Sequence, residues 1–148
     1  MQSTIRQKDE TGIKKMVVFT IFMFLVGTGL ELILLSHYED EWQLIPIILL
    51  ALGLIAFTIL LVRYSSILMS TTRSILVASG LSGLLGTYFH MKANFEFEQE
   101  IRSSLPTVEL LWESLSGALP ALAPMSMIVF TLLGFIYLKI IKENDETI

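Results

Sequence analysis

Long apolar segments alternate with short polar ones along the chain. Four of them meet or approach the roughly 20 helical residues needed to cross a hydrocarbon core of about 30 Å. They cover residues 16–35, 44–62, 74–92 and 121–141. The uncharged part of the third, residues 74–89, is short for a crossing, so this helix is expected to continue through His90 toward Asn94. The pattern predicts four transmembrane helices, with Pro46 and Pro124 in the first turns of the second and fourth.

A fifth, shorter helix is predicted between the third and fourth spans, at residues 105–118. Ser104 and Pro106 are typical of a helix start, and Gly117 and Pro120 of its end. Apolar residues recur at helical spacing in between: Leu105, Val108, Leu111, Trp112, Leu115 and Leu119. Such an amphipathic helix would lie in the membrane interface or cap the spans.

Composition supports a membrane protein. Of the 148 residues, 53% are hydrophobic and only 16% charged, and the mean hydropathy is +0.70. The chain has no cysteine, which excludes thiol redox chemistry, Cys-ligated zinc and iron–sulfur clusters. The net charge of −4 and the scattered basic residues do not indicate nucleic acid as a partner.

The first apolar segment is interpreted as a retained span, because it is longer than a signal-peptide core of about 7–15 residues and lacks a small-x-small cleavage site. Basic residues set the orientation, because they accumulate in cytoplasmic loops. Eight of the ten fall on one side: Arg6, Lys8, Lys14, Lys15, Arg63, Arg73, Lys139 and Lys142. The other side holds Lys92 and Arg102. Both termini are therefore predicted in the cytoplasm of a multi-pass protein of the cell (inner) membrane.

The predicted fold class is all-α: a polytopic membrane protein with four transmembrane helices in a bundle plus a short extracytoplasmic interfacial helix. One membrane domain, residues 1–148, accounts for the chain. The predicted outer side is acidic and carries both histidines; its acids are Glu39, Asp40, Glu41, Glu96, Glu98, Glu100, Glu109 and Glu113. These acids also fit a simple exclusion of basic residues from this side, with Tyr38, Trp42 and Trp112 as interfacial anchors.

Helix three combines small residues with a polar ladder. Small residues permit the close backbone packing on which helix association in lipid depends, so this helix is predicted to be central. The ladder runs at four-residue spacing through Ser82, Gly86, His90, Asn94 and Glu98. If helix one packs on helix three through Gly27 and Gly29, His37 joins this group. His37, His90, Asn94 and Glu98, with Glu96 nearby, are then candidate ligands for a divalent metal.

Two other interpretations of this polar cluster remain open. His37 and His90 could instead clamp a haem. The same side chains could equally form a hydrogen-bonded network that fixes the interfacial helix through its N-terminal amides. No zinc or catalytic motif is present, so the sequence favours a protein without a cofactor, with a divalent metal as the alternative.

Glu31 lies within the first span, about 9 Å beyond its centre. A carboxyl in a span normally faces the protein interior or a wet cavity. Gly27 and Tyr38 are expected to share its helical face, which makes Glu31 and Tyr38 candidates for a proton or cation site. A neutral, hydrogen-bonded carboxyl is the alternative.

Three stretches resemble small, uncharacterised bacterial four-span integral membrane proteins: His37-Tyr-Glu-Asp-Glu-Trp-Gln-Leu-Ile-Pro46, Gly86-Thr-Tyr-Phe-His-Met-Lys-Ala-Asn-Phe-Glu-Phe-Glu98 and Gly117-Ala-Leu-Pro-Ala-Leu-Ala-Pro124. The resemblance implies a bacterial cell membrane and no activity. Small multidrug transporters share the four spans and a helix-one glutamate, but only as an architectural analogy.

Three classes of function follow. The leading one is a non-enzymatic accessory or partner-binding subunit with an acidic extracytoplasmic face, in contact with lipid and with another protein or further copies of itself. The second is a small proton- or cation-coupled transporter that uses Glu31, as an oligomer. The third is a metal- or haem-binding membrane protein at His90.

Overall fold

The structure is a computed structural model that describes the backbone of residues 2–145 and the side chains of residues 12–143. The side chains of Arg6 and Lys8, used above for orientation, lie outside this range. The described chain is all-helical, and its elements are α1 (Gln2–Leu34), α2 (Glu41–Val62), α3 (Ser66–Ile101), α4 (Thr107–Leu115), a 3-10 turn (Ala123–Met125) and α5 (Ser126–Asp145).

Four of the described helical segments are long and apolar enough to cross a membrane, which confirms that part of the predicted fold. They are Gly12–Leu34, Glu41–Val62, Ser66–Ile101 and Ala123–Glu143. α2 begins earlier than predicted because Asp40 caps it, accepting a hydrogen bond from Gln43 N at 2.9 Å. Pro46 therefore lies beyond its first turn.

α3 is much longer than its predicted apolar core. The serines and threonines of residues 65–72 predict a turn between the second and third spans. This prediction is wrong, because only residues 63–65 connect α2 to α3. Ser65 caps the new helix by accepting from Leu68 N, and the Thr72 hydroxyl donates to Leu68 O within it. Thirty-six residues at 1.5 Å each make α3 about 54 Å long.

The helices pack around an apolar core shared by α1, α2, α3 and α5. α1 packs on α2 and α5, while α3 packs on α2, α4, α5 and the 3-10 turn, in agreement with its predicted central place. Phe130 of α5 is fully buried; its ring stacks on Phe24 of α1 and meets Phe57 of α2 edge-on. These aromatic contacts join three helices at one level.

The small residues of α3 face α5 and the 3-10 turn. A Cβ on Gly83 would lie 2.8 Å from Pro124 O, and one on Gly86 2.8 Å from Pro124 Cβ. The Thr131 hydroxyl crosses the same seam to donate to Leu76 O at 2.8 Å. Glycine thus brings the two backbones close enough for an interhelical hydrogen bond.

Gly27 and Gly29 of α1 do not pack against α3. A Cβ added at Gly27 or Gly29 would meet nothing within 4 Å. The prediction that these glycines pack on helix three is therefore wrong, because α1 turns them toward open space.

α1 ends in a hydrogen-bonded turn that positions His37. Ser36 adopts a left-handed backbone with φ of 55°. Ser36 N donates to Ile33 O and His37 N to Leu32 O, at 3.0 and 2.8 Å, the pattern of a Schellman motif with serine where glycine is usual. The helical register is broken there, so the expected shared face of Tyr38 and Glu31 does not form.

Candidate functional site

Asn94 is the buried centre of the polar cluster at the end of the helices where both histidines lie. Its side chain is 1% exposed. Its amide nitrogen donates to Ser114 O at 2.9 Å and Leu119 O at 2.7 Å, while its amide oxygen accepts from Leu119 N at 2.9 Å. One side chain therefore fixes the end of α4 and the segment that follows it.

Gly117 completes this arrangement, which we call the Asn94 clasp: the side chain of Asn94, the backbone of Ser114 and Leu119, and Gly117. A Cβ at Gly117 would lie 2.6 Å from Asn94 Cγ. Glycine is required there by the close approach of the amide group, as well as being suited to the end of a helix.

His90, one turn of α3 before Asn94, makes a second hydrogen bond to the segment that follows α4. Its Nδ1 donates to Pro120 O across 3.1 Å, which leaves Nε2 as the acceptor nitrogen of the neutral ring. The His37 ring lies edge-on to it with 6.3 Å between ring centroids. The two histidines thus link the α1–α2 connection to α3 and to the segment before α5.

The environment of His37 lowers its pKa. Burial is the largest cause, and the positive charge that His90 can carry adds to it, while Asp40 acts in the opposite direction. A proton on His37 is therefore disfavoured in the folded protein.

Arg102 bridges two glutamates on neighbouring helices. Its Nε lies 3.3 Å from Glu98 Oε2 and its Nη1 lies 3.4 Å from Glu113 Oε2. Glu98 is buried beneath α4, and its Oε2 has no aligned hydrogen bond despite the short distance to the guanidinium. The pair with Glu113 joins the far end of α3 to the last turn of α4.

These contacts show the direction of α4. It follows a tight connection at the tip of α3, and its last residues reach Asn94, so it runs back along the final turns of α3. One of the interpretations of the sequence placed Asn94 and the carboxylates at the N-terminal amides of this helix. The structure instead joins Asn94 to the C-terminal carbonyl of Ser114, with Pro106 at the N-cap position outside the helix.

Packing leaves most of the apolar face of α4 uncovered. Leu110 and Ser114 form its buried edge. Val108 is 77% exposed and Trp112 74% exposed, with Leu111 and Leu115 also exposed beside them. We call Val108, Leu111, Trp112 and Leu115 the α4 apolar face.

The predicted metal ligands lie near one another but have other partners. Asn94 bonds backbone groups, Glu98 pairs with Arg102, and His90 uses Nδ1 on Pro120. Within residues 12–143, no three His, Asp or Glu side chains are grouped closely enough to hold a metal ion. His37 and His90 are adjacent, and the metal and haem hypotheses remain predictions.

Glu31 is placed differently from the expected inward-facing site. Its side chain is exposed on α1, one turn above the open position at Gly27. Tyr38 is half exposed and follows the break at Ser36. Within one chain, Glu31 does not face the packed interior.

No protein-family model matches the chain, and comparisons with curated proteins and with solved structures find no significant match. The resemblance noted from the sequence therefore remains a resemblance. The class that the fold defines is a helical protein with four candidate membrane spans.

The lowered pKa of His37 predicts a pH-dependent stability. Unfolding restores an ordinary pKa of about 6.5, so the unfolded chain binds a proton more readily than the folded one. The stabilisation is fully present above pH 6.5 and should be lost as pH falls toward the folded-state pKa. The unfolding midpoint of detergent-purified protein, measured between about pH 5 and 8, should fall on the acid side. His37→Gln should flatten that slope, and an unchanged slope would contradict the assignment.

Proposed function

We propose that the protein is a non-enzymatic, partner-binding subunit of a bacterial cell membrane. One observation carries the proposal: the Asn94 clasp holds α4 firmly on α3 while its apolar face stays exposed. In this proposal, the candidate metal ligands His90, Asn94 and Glu98 instead hold α4 and the segment after it in place, so that the α4 apolar face is presented to a partner. A rigid helix with an exposed tryptophan is well suited to protein recognition, because little conformational entropy is lost on binding.

The α4 apolar face is proposed to lie on the extracytoplasmic side, with both termini in the cytoplasm, as the distribution of basic residues favours. Residues 74–91 of α3 contain no Asp, Glu, Lys or Arg and, at 1.5 Å per residue, are long enough to fill most of a hydrocarbon core. Asn94 then lies at the outer boundary, and α4 extends outward from there. Leu115 is near the lipid, whereas Val108 is about 10 Å farther out at 1.5 Å per residue. Lipid cannot cover all of this face.

Acidic side chains lie on the same hairpin as that surface. Glu109 is exposed on α4, and Glu96, Glu100 and Glu113 lie on the same hairpin of α3 and α4. Lys92 is paired with Glu96, and Arg102 with Glu98 and Glu113. The complementary partner is a protein with an apolar groove and a basic rim, since opposite charges at the rim steer association.

A photoreactive amino acid at position 108 tests this proposal in intact cells. We expect an adduct with one protein of defined mass, because the proposal places Val108 in the partner's groove. The matched control is position 109, at the same level on the polar side of α4. Asn94→Ala should abolish the adduct by releasing α4.

The absence of native cysteine supplies a check of orientation in the same cells. A membrane-impermeant maleimide should label Glu109→Cys, on the polar side of α4, directly but Ser70→Cys only after permeabilisation. Labelling of lipid alone from position 108, or equal protein adducts from positions 108 and 109, would rule out the docking surface.

A further inference from the structure

α1 leaves one face without a partner inside the chain, and this face carries a carboxyl group. Glu31, Gly27 and Met23 follow one another at intervals of one turn, and all three are exposed. The packed side of α1 instead carries Ile21 and Leu25, which are buried and also lie one turn apart. Exposure is general along the described part of α1, and this face is distinguished by Glu31, the one charged residue among residues 16–35.

Glu31 lies within the proposed bilayer rather than at its surface. It is 16 residues beyond Lys15, or about 24 Å along a helix, inside a core about 30 Å thick. Four apolar residues follow it before the helix turns at Ser36. A carboxylate that faces lipid at this depth is costly, so ionisable residues in spans normally pair with a protein group.

Charge complementarity identifies the partner group as a cation. Residues 12–143 do not supply one: Lys92 is engaged with Glu96, Arg102 with Glu98 and Glu113, and the other basic residues of this range lie at the opposite ends of the spans. A second copy would bring another Glu31 to the same level, which is a like charge. The complementary occupant is therefore a different chain with Lys or Arg in its span.

Gly27 makes close approach of such a chain feasible. Open space around its missing side chain lets a neighbouring backbone pack one turn below Glu31. We propose that the face of α1 formed by Met23, Gly27 and Glu31 binds a transmembrane helix of another protein that carries a Lys or Arg at the depth of Glu31. This site is separate from the α4 apolar face and does not depend on it.

Synthetic transmembrane peptides can test the pairing without knowledge of the natural partner. Two peptides would share one apolar sequence with uncharged ends and differ only in Lys or Leu at the depth of Glu31. The full chain, labelled at Tyr64→Cys, is placed in phosphatidylcholine vesicles, and energy transfer to labelled peptide is measured. We expect the Lys peptide to half-saturate at about tenfold lower density than the Leu peptide.

Variants separate the contributions of charge and space. Glu31→Gln should remove the advantage of the Lys peptide, and Gly27→Leu should weaken its binding by blocking the approach. Ala51→Leu, the same kind of enlargement at an exposed position of α2, should have no effect. Equal binding of the two peptides would overturn the proposal. So would Glu31-dependent energy transfer between copies of the chain without peptide, which would assign the face to self-association.

Discussion

Asn94→Ala should lower the free energy of unfolding by about 3 kcal/mol. The change removes three hydrogen bonds and leaves the backbone groups of Ser114 and Leu119 without their partner. Each buried polar group left unpaired costs about 1–3 kcal/mol, and water at the membrane boundary replaces part of the loss. Unfolding of detergent-purified protein measures the change.

The location of the destabilised residues in Asn94→Ala shows whether Asn94 holds α4 specifically or contributes only to general packing. Hydrogen exchange should accelerate across residues 105–120 while the amides of α2 and α5 keep their protection. Asn94→Asp keeps an acceptor for Leu119 N but loses both donated bonds, so it should also release α4. Ser116→Ala is the matched control, because its hydroxyl is exposed and bonds only to Glu113 O. Wild-type exchange in Asn94→Ala would contradict the clasp.

Gly83→Ala should destabilise the protein by about 2 kcal/mol, although alanine is normally the better helix former. Its Cβ would lie 2.8 Å from Pro124 O and 3.1 Å from Met127 Cβ, so α3 and α5 would have to separate. Separation would also strain the hydrogen bond from Thr131 to Leu76 O. The unfolding midpoint in detergent gives the measurement.

Gly29→Ala supplies a control of opposite sign. Nothing lies within 4 Å of its added Cβ, so the substitution should be neutral or stabilise by up to about 1 kcal/mol. If both alanines changed the stability equally, the seam between α3 and α5 would not depend on glycine.

The spans were predictable because transfer of a long apolar segment into lipid dominates every local preference. The ends of the spans could not be predicted in the same way. Hydropathy falls at residues 65–73, yet serine and threonine can bond to carbonyls of the preceding turn, so the helix continues through a polar stretch. The same ambiguity hid the true length of α3.

The polar ladder was visible in the sequence, but the role of Asn94 was not. Its partners are backbone groups of Ser114 and Leu119, and backbone groups have no sequence signature. The small residues Ser114 and Gly117, three apart after an amphipathic helix, are the signal that could have indicated a close contact. The direction of Glu31 was also beyond prediction, because residues 16–34 of α1 are apolar on all sides apart from Glu31 itself, and their pattern does not mark an inner face.

The uninterrupted length of α3 has a mechanical consequence. One rod of about 54 Å joins the α2–α3 connection to the hairpin that carries α4. A tilt of about 5° around its end at Ser66 would carry the tip at Ile101 sideways by about 5 Å, roughly the spacing of one helical turn. Because the Asn94 clasp and the Arg102 ion pairs attach α4 to that rod, α4 would travel with it. Force applied at either end of α3 is thus transmitted to the other by leverage, without any helix having to unfold.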